Sequence, residues 1–263
     1  MFKREMKTNL KSFIIWALIL LGLFLLVFLV YPSISSSDNI KYLNDAMEMF
    51  PEELLKAFNM DISTLDTAFG WLKTEGFVLL LLITGVYSSI LASNILLKEE
   101  SDKTIEYLNS LPTTRTKIAL NKIICGLIYI ILMILIVSIF NYVGLSLSGE
   151  FDKKTYILLS ITPLFSSLVI FGACLFLSTF FHKTKKTFGI SIGVVFASYF
   201  LNILSELSES TEFLKYFSIF TLADVRNVIV NSSINPLMLF LSLFITIIFI
   251  VLTIIHYNRK ELV

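Results

Sequence analysis

Residues 13–31 read FIIWALILLGLFLLVFLVY and contain no Asp, Glu, Lys or Arg. Nineteen residues at ~1.5 Å rise make a helix of ~28 Å, close to the ~30 Å hydrocarbon core of a bilayer. The run is longer than the roughly 7–15 apolar residues of a signal peptide, and no small-x-small cleavage site follows Tyr31-Pro32. It reads as a retained membrane span.

Five further charge-free runs follow: Gly76–Leu97, Ile123–Leu147, Tyr156–Phe181, Phe188–Ser205 and Pro236–Tyr257. Backbone groups in lipid must be satisfied within their own segment, so each run is expected to be a helix. The fifth is short and carries Ser191, Ser198 and Asn202. Composition agrees. Of 263 residues, 56% are hydrophobic, 16% are charged and 24 are Phe, with a mean hydropathy of +0.83. A soluble fold of that make-up would expose far too much apolar surface. The expected fold is an all-α membrane protein of six transmembrane helices, forming a single domain over residues 1–263 without repeats.

Charge distribution orients it. With both termini on the inner side, inner segments hold 14 of the 21 Lys and Arg, and outer segments hold 14 of the 20 Asp and Glu. That bias favours cytoplasmic termini and a multi-pass protein of the cell membrane. The formal net charge of +1, without a basic block, argues against nucleic-acid binding. Cys125 and Cys174 lie inside apolar runs and read as small buried hydrophobes.

Met1–Ser12 sets Phe2, Met6 and Leu10 on one face, with Lys3, Arg4, Lys7 and Lys11 on the other. This is either an amphipathic helix lying in the inner interface or a basic flank that fixes topology. In the acidic outer segment, Ile40, Leu43, Met47, Phe50, Leu54 and Phe58 recur at helical spacing, with Pro51 starting a new turn. Two short outer helices are expected near 39–49 and 51–59, with a packing cap as the weightier reading. No phosphate-binding loop, Cys-x-x-Cys or His-Glu-x-x-His is present. His182 and His256 lie near inner helix ends, where a structural role outweighs a metal site. The spans themselves carry no carboxylate for a proton relay. Any uphill transport must therefore draw its energy from another chain.

The inner segment between the second and third spans, residues 98–117, reads KEESDKTIEYLNSLPTTRTK. Glu99 and Lys103 are spaced as an i,i+4 pair at a helix start. Ile105, Leu108 and Leu111 make an apolar edge, and Pro112 ends the helix. A short amphipathic helix of mixed charge, facing water, suits docking to a soluble partner.

These residues resemble the signature of ABC-2-type ABC transporter permeases. In that family paired acidic residues lead into Thr-x-Glu-x-Leu-x-x-Leu-Pro and then Ser/Thr-Arg. The matching positions here are Glu99, Glu100, Thr104, Glu106, Leu108, Leu111, Pro112, Thr114 and Arg115. Many members carry Gly immediately before the Thr, where this chain has Lys103. The resemblance implies the membrane subunit of an ABC exporter. Two permease copies, as a homodimer, would pair with two ATPase subunits. ATP and Mg would bind in the ATPase, with no cofactor in this chain. The segment at 98–117 would be the coupling helix.

Small residues at Gly189, Gly193 and Ala197 form a stripe on the fifth span, which allows close helix approach. Packing within one subunit is the weightier reading, and contact across a dimer is the other. Ser88, Ser93, Asn94, Ser198 and Asn202 are candidate path-lining groups. A path without buried charge suits a hydrophobic or amphipathic cargo: a peptide toxin, a bacteriocin, a drug or a lipid-linked molecule. A non-transporting scaffold or immunity subunit that binds an ATPase, and a secondary carrier or channel, are the competing readings.

Overall fold

The computed structural model describes residues 2–34, 67–105 and 112–261. The expected outer helices at 39–49 and 51–59 lie outside them. Among the described residues the fold is all-α, and six helices are long and apolar enough to cross a membrane. In chain order, α1 is Phe2–Ile34, α2 is Ala68–Trp71, and a π-helical turn Leu72–Gly76 leads into α3, Phe77–Ile95. Next come α4 (Lys98–Ser101), α5 (Arg115–Ser148), α6 (Lys153–Ser178) and α7 (Thr184–Leu207). Two 3₁₀ segments, Glu209–Phe217 and Phe220–Ala223, then precede α8 (Val225–Asn231) and α9 (Pro236–Arg259). The spans are α1, α3, α5, α6, α7 and α9.

The helix ends follow local chemistry. Thr114 caps α5 by accepting from Lys117 N, and Gly149, at φ 146°, closes it. Asp152 caps α6 by accepting from Lys154 N and Thr155 N. Asn235 accepts from Leu237 N, with Pro236 in the first turn of α9. These side-chain acceptors satisfy N–H groups that have no partner within the helix. Residues 2–12 are not a separate interfacial element. They are the first three turns of α1, which continues into the span without a break. Their basic residues Lys3, Arg4, Lys7 and Lys11 point outward, while Glu5 is buried.

At the centre of the bundle is α6, packed against α3, α5 and α9. Along their most apolar stretches, α3 and α6 are more than half buried, whereas α1, α7 and α9 are less than a quarter buried. Those three helices present broad apolar faces outward, as lipid contact requires. The core joins Leu20 and Phe24 of α1, Leu80 and Ala92 of α3, Met133 and Val137 of α5, and Leu159, Ile170 and Phe171 of α6. A Cβ added at Gly126 of α5 would overlap the Phe171 ring, so this glycine is what lets α5 and α6 approach. Pro163 sits buried inside α6 and leaves the Leu159 carbonyl without its helical donor. Thr162 Oγ1 donates to that carbonyl at 2.8 Å, which restores the missing bond.

Candidate functional site

The start of α1, the α3–α4 junction, the α6–α7 turn and the end of α9 converge at one end of the bundle, called here the terminal end. Helix α4 is a single turn, and its adjacent residues Glu99 and Glu100 project about 100° apart around the helix. They therefore reach different neighbours. Both are buried, at 7% and 4% exposure, and Lys122 of α5 beside them is fully enclosed.

Glu99 faces α1 and α5. Its Oε2 accepts from Lys122 Nζ at 2.6 Å, and its Oε1 accepts from Arg4 Nη2 at 3.2 Å. Lys122 Nζ also donates to the Ile95 carbonyl at 2.6 Å, and lies 3.6 Å from Glu5 Oε2. Glu100 faces the other way. Its Oε1 accepts from Lys260 Nζ at 2.9 Å, and its Oε2 meets His182 Nδ1 at 2.9 Å. Lys260 Nζ donates to the Phe181 carbonyl as well, and the Lys260 carbonyl accepts from Arg115 Nη1 at 2.9 Å. Burial pushes the Lys260 ammonium below its ordinary pKa, with the Glu100 bond acting in the opposite direction.

Three carboxylates (Glu5, Glu99, Glu100) thus face three cations (Arg4, Lys122, Lys260). Buried charge is tolerated only when it is paired and hydrogen-bonded. That balance is why two acids expected on a water-facing docking helix are found inside the protein. It is also why Glu99 does not pair with Lys103: both its oxygens are engaged by Arg4 and Lys122.

The turn after α4 explains the segment's sequence. Thr104 N donates to the Glu99 carbonyl at 2.8 Å, and Lys103 N donates to the Glu100 carbonyl at 3.3 Å. This is the Schellman arrangement that closes a helix, and it places Lys103 in the left-handed region at φ 56°. A residue bearing a Cβ is disfavoured there, which gives the family's glycine at this position a physical reason. Lys103→Gly is therefore expected to stabilise the fold by about 1 kcal/mol. Thermal unfolding in detergent checks this, and an unchanged or lowered midpoint would refute it.

Of the remaining segment, Thr104, Pro112 and Thr114 are exposed and Arg115 is half-buried. Glu106, Leu108 and Leu111 lie outside the described residues. Lys122, Lys260 and Glu5 were not singled out by the sequence, and Arg4 was read only as part of a basic face. The available signal was weak: Lys122 directly precedes a charge-free run, and Glu5 is the one acid in a basic segment.

The family model described as ABC-2 family transporter protein matches residues 1–262. The chain belongs to the ABC-2 transporter family. No curated protein matches it. The chain is accordingly an ABC permease, a multi-pass membrane protein.

The permease's other candidate residues divide between outward-facing and buried or partly buried positions. Gly189, Gly193 and Ala197 all face outward on α7, and a Cβ on either glycine would meet open space. The inward face of α7 carries Thr187, Ser191, Val195 and Ser198 instead. The stripe is offset from that set by two residues, about 200° around the helix. Packing within one subunit is thereby excluded among the described residues.

The path candidates are mostly engaged in helix packing. Ser93 Oγ donates to its own helix at the Ile90 carbonyl. Ser198 Oγ accepts from Ile219 N at 2.7 Å, and Asn202 Oδ1 accepts from Thr221 Oγ1 at 3.3 Å, so both hold the 3₁₀ segments against α7. Ser88 is fully buried, its hydroxyl without a partner among the described residues, and Asn94 is partly buried. Asn202 also borders a cavity of about 630 Å³ at the end opposite the ion network. Its walls combine Val78, Leu81 and Phe220 with Glu206, Glu209 and Arg226.

Both histidines sit at the terminal end. His182 is bound to Glu100 as above, and the His256 ring lies 4.4 Å from that of Phe180. The free thiols Cys125 and Cys174 are buried.

Proposed function

We propose that this permease is the membrane subunit of an ATP-driven exporter, in which two copies pair with two ATPase subunits. Residues 98–117 dock on the ATPase, and both termini are cytoplasmic. Nucleotide binds in the ATPase and has different affinities for the inward- and outward-open states, which shifts their populations. The cargo is amphipathic or hydrophobic: a peptide toxin, a bacteriocin or a drug. The stripe at Gly189, Gly193 and Ala197 contacts the second permease copy.

One observation carries this reading. The family's paired acids, Glu99 and Glu100, anchor the coupling segment to α1, α5, the α6–α7 turn and the end of α9 through a buried ion network. A push on residues 105–111 is then delivered to α1, α5, the end of α9 and the α6–α7 turn at once. The cavity bordered by both apolar and carboxylate side chains supports an amphipathic cargo over a purely apolar one.

The test is co-purification with the partner ATPase, followed by reconstitution in liposomes with rhodamine 6G as an amphipathic probe. The expected results are a stable complex, ATP hydrolysis stimulated by the dye, and dye movement that stops without ATP. A complex that hydrolyses ATP but never moves dye or peptide would favour the scaffold reading. Movement without any ATPase would favour a carrier.

A further inference from the structure

Residues 101–114 connect α4 to α5, and the described residues at each end of this link form two feet on the bundle. The first is the α4 turn, where Glu100 is buried. The second is the start of α5, where Arg115 is half-buried. One residue touches both. Lys260 Nζ donates to Glu100 Oε1 at 2.9 Å, and the Lys260 carbonyl accepts from Arg115 Nη1 at 2.9 Å.

Lys260 is itself held in place. Its side chain is 5% exposed and also donates to the Phe181 carbonyl. Its backbone N donates to the His256 carbonyl at 2.9 Å, which ties it to the last turn of α9. A second tie lies alongside, where Asn258 Nδ2 donates to Thr116 Oγ1 at 2.9 Å. The end of α9 thus spans the gap between the feet. No other described residue bonds to both Glu100 and Arg115.

We infer that Lys260 is a positioning residue for coupling: it staples the two feet of residues 101–114 at a fixed separation, so that the segment presents one shape to the ATPase. The inference rests on the coupling role proposed for that segment. A loop closed at its base loses conformational freedom before binding, so less ordering is needed when the partner docks. Without the staple the feet move independently, and a push on the segment is absorbed locally before it reaches α9.

The experiment places spin labels on cysteines at Asp102 and Thr113, both exposed, in the complete permease–ATPase complex. Their distance distribution is read together with ATP hydrolysis. Wild type should give a narrow distribution. Lys260→Met should broaden it and lower permease-stimulated hydrolysis by about tenfold, whereas Lys260→Arg, which keeps donors for Glu100 and Phe181, should restore both. If Lys260→Met fails to fold because Glu100 is left buried with only the half-exposed His182 beside it, Lys260→Met combined with Glu100→Gln removes that charge and tests the same loss. Arg115→Met opens the other half of the staple and should broaden the distribution equally. A narrow distribution with unchanged hydrolysis in these variants would overturn the inference. Absence of stimulated hydrolysis in wild type would instead overturn the coupling role, while the distances still decide whether Lys260 sets the gap.

Discussion

Replacing Lys122 with Met is expected to destabilise the permease by roughly 3–5 kcal/mol, the usual cost of removing one partner from a buried ion pair. The ammonium is the common partner of Glu99 at 2.6 Å and Glu5 at 3.6 Å, and it satisfies the Ile95 carbonyl. Met fills a similar volume, so the loss is electrostatic rather than a packing defect. Two carboxylates would remain enclosed, with only the half-exposed Arg4 in reach. Neutralising them in the triple variant Lys122→Met, Glu5→Gln, Glu99→Gln should recover most of the loss. Arg4→Met should cost far less, within about 1 kcal/mol, because its side chain is 45% exposed and water screens it. Denaturant titration in detergent micelles gives the ranking. If Lys122→Met proves as stable as Arg4→Met, the network does not hold the terminal end together.

That network shows where sequence reading reached its limit. The spans were legible because each is a run without charge, and lipid tolerates no other pattern over that length. The acidic pair was legible as unusual, but its direction was not. Its partners lie 23, 82, 95 and 160 residues away in the chain, and no periodicity links such positions. Local spacing offered Lys103 to Glu99, and tertiary neighbours outcompeted it. The stripe on α7 was ambiguous in the same way: small residues four apart mark a face that allows close approach, but the same spacing serves an inward or an outward face. Thr187, Ser191, Val195 and Ser198 repeat at equivalent intervals and are the ones buried. Hydroxyl groups that satisfy themselves on their own helix, as Thr246 does at the Ser242 carbonyl, pack as readily as alanine and hide the true interior from a hydropathy pattern.

The second large effect is expected at Leu111, which tests whether residues 98–117 meet the ATPase. Ile105 at the near foot is buried in the permease, so the apolar edge left for a partner is Leu108 and Leu111. An apolar anchor surrounded by polar groups carries most of the binding energy of such a contact. Leu111→Asp should weaken ATPase association by about a hundredfold, equivalent to roughly 2.7 kcal/mol, with Leu111→Ala intermediate. Membrane insertion should stay at wild-type level, since residue 111 belongs to none of the six spans. Glu106→Lys should produce a smaller loss that depends on ionic strength. Arg115→Glu should behave differently from both. Its guanidinium is held by the Lys260 carbonyl, so reversing its charge disturbs the base of the segment, and the loss should persist at high salt. Affinity measured by pull-down across a salt series separates the three. Wild-type association in Leu111→Asp would remove this segment from the interface and leave the buried network as a structural tie alone.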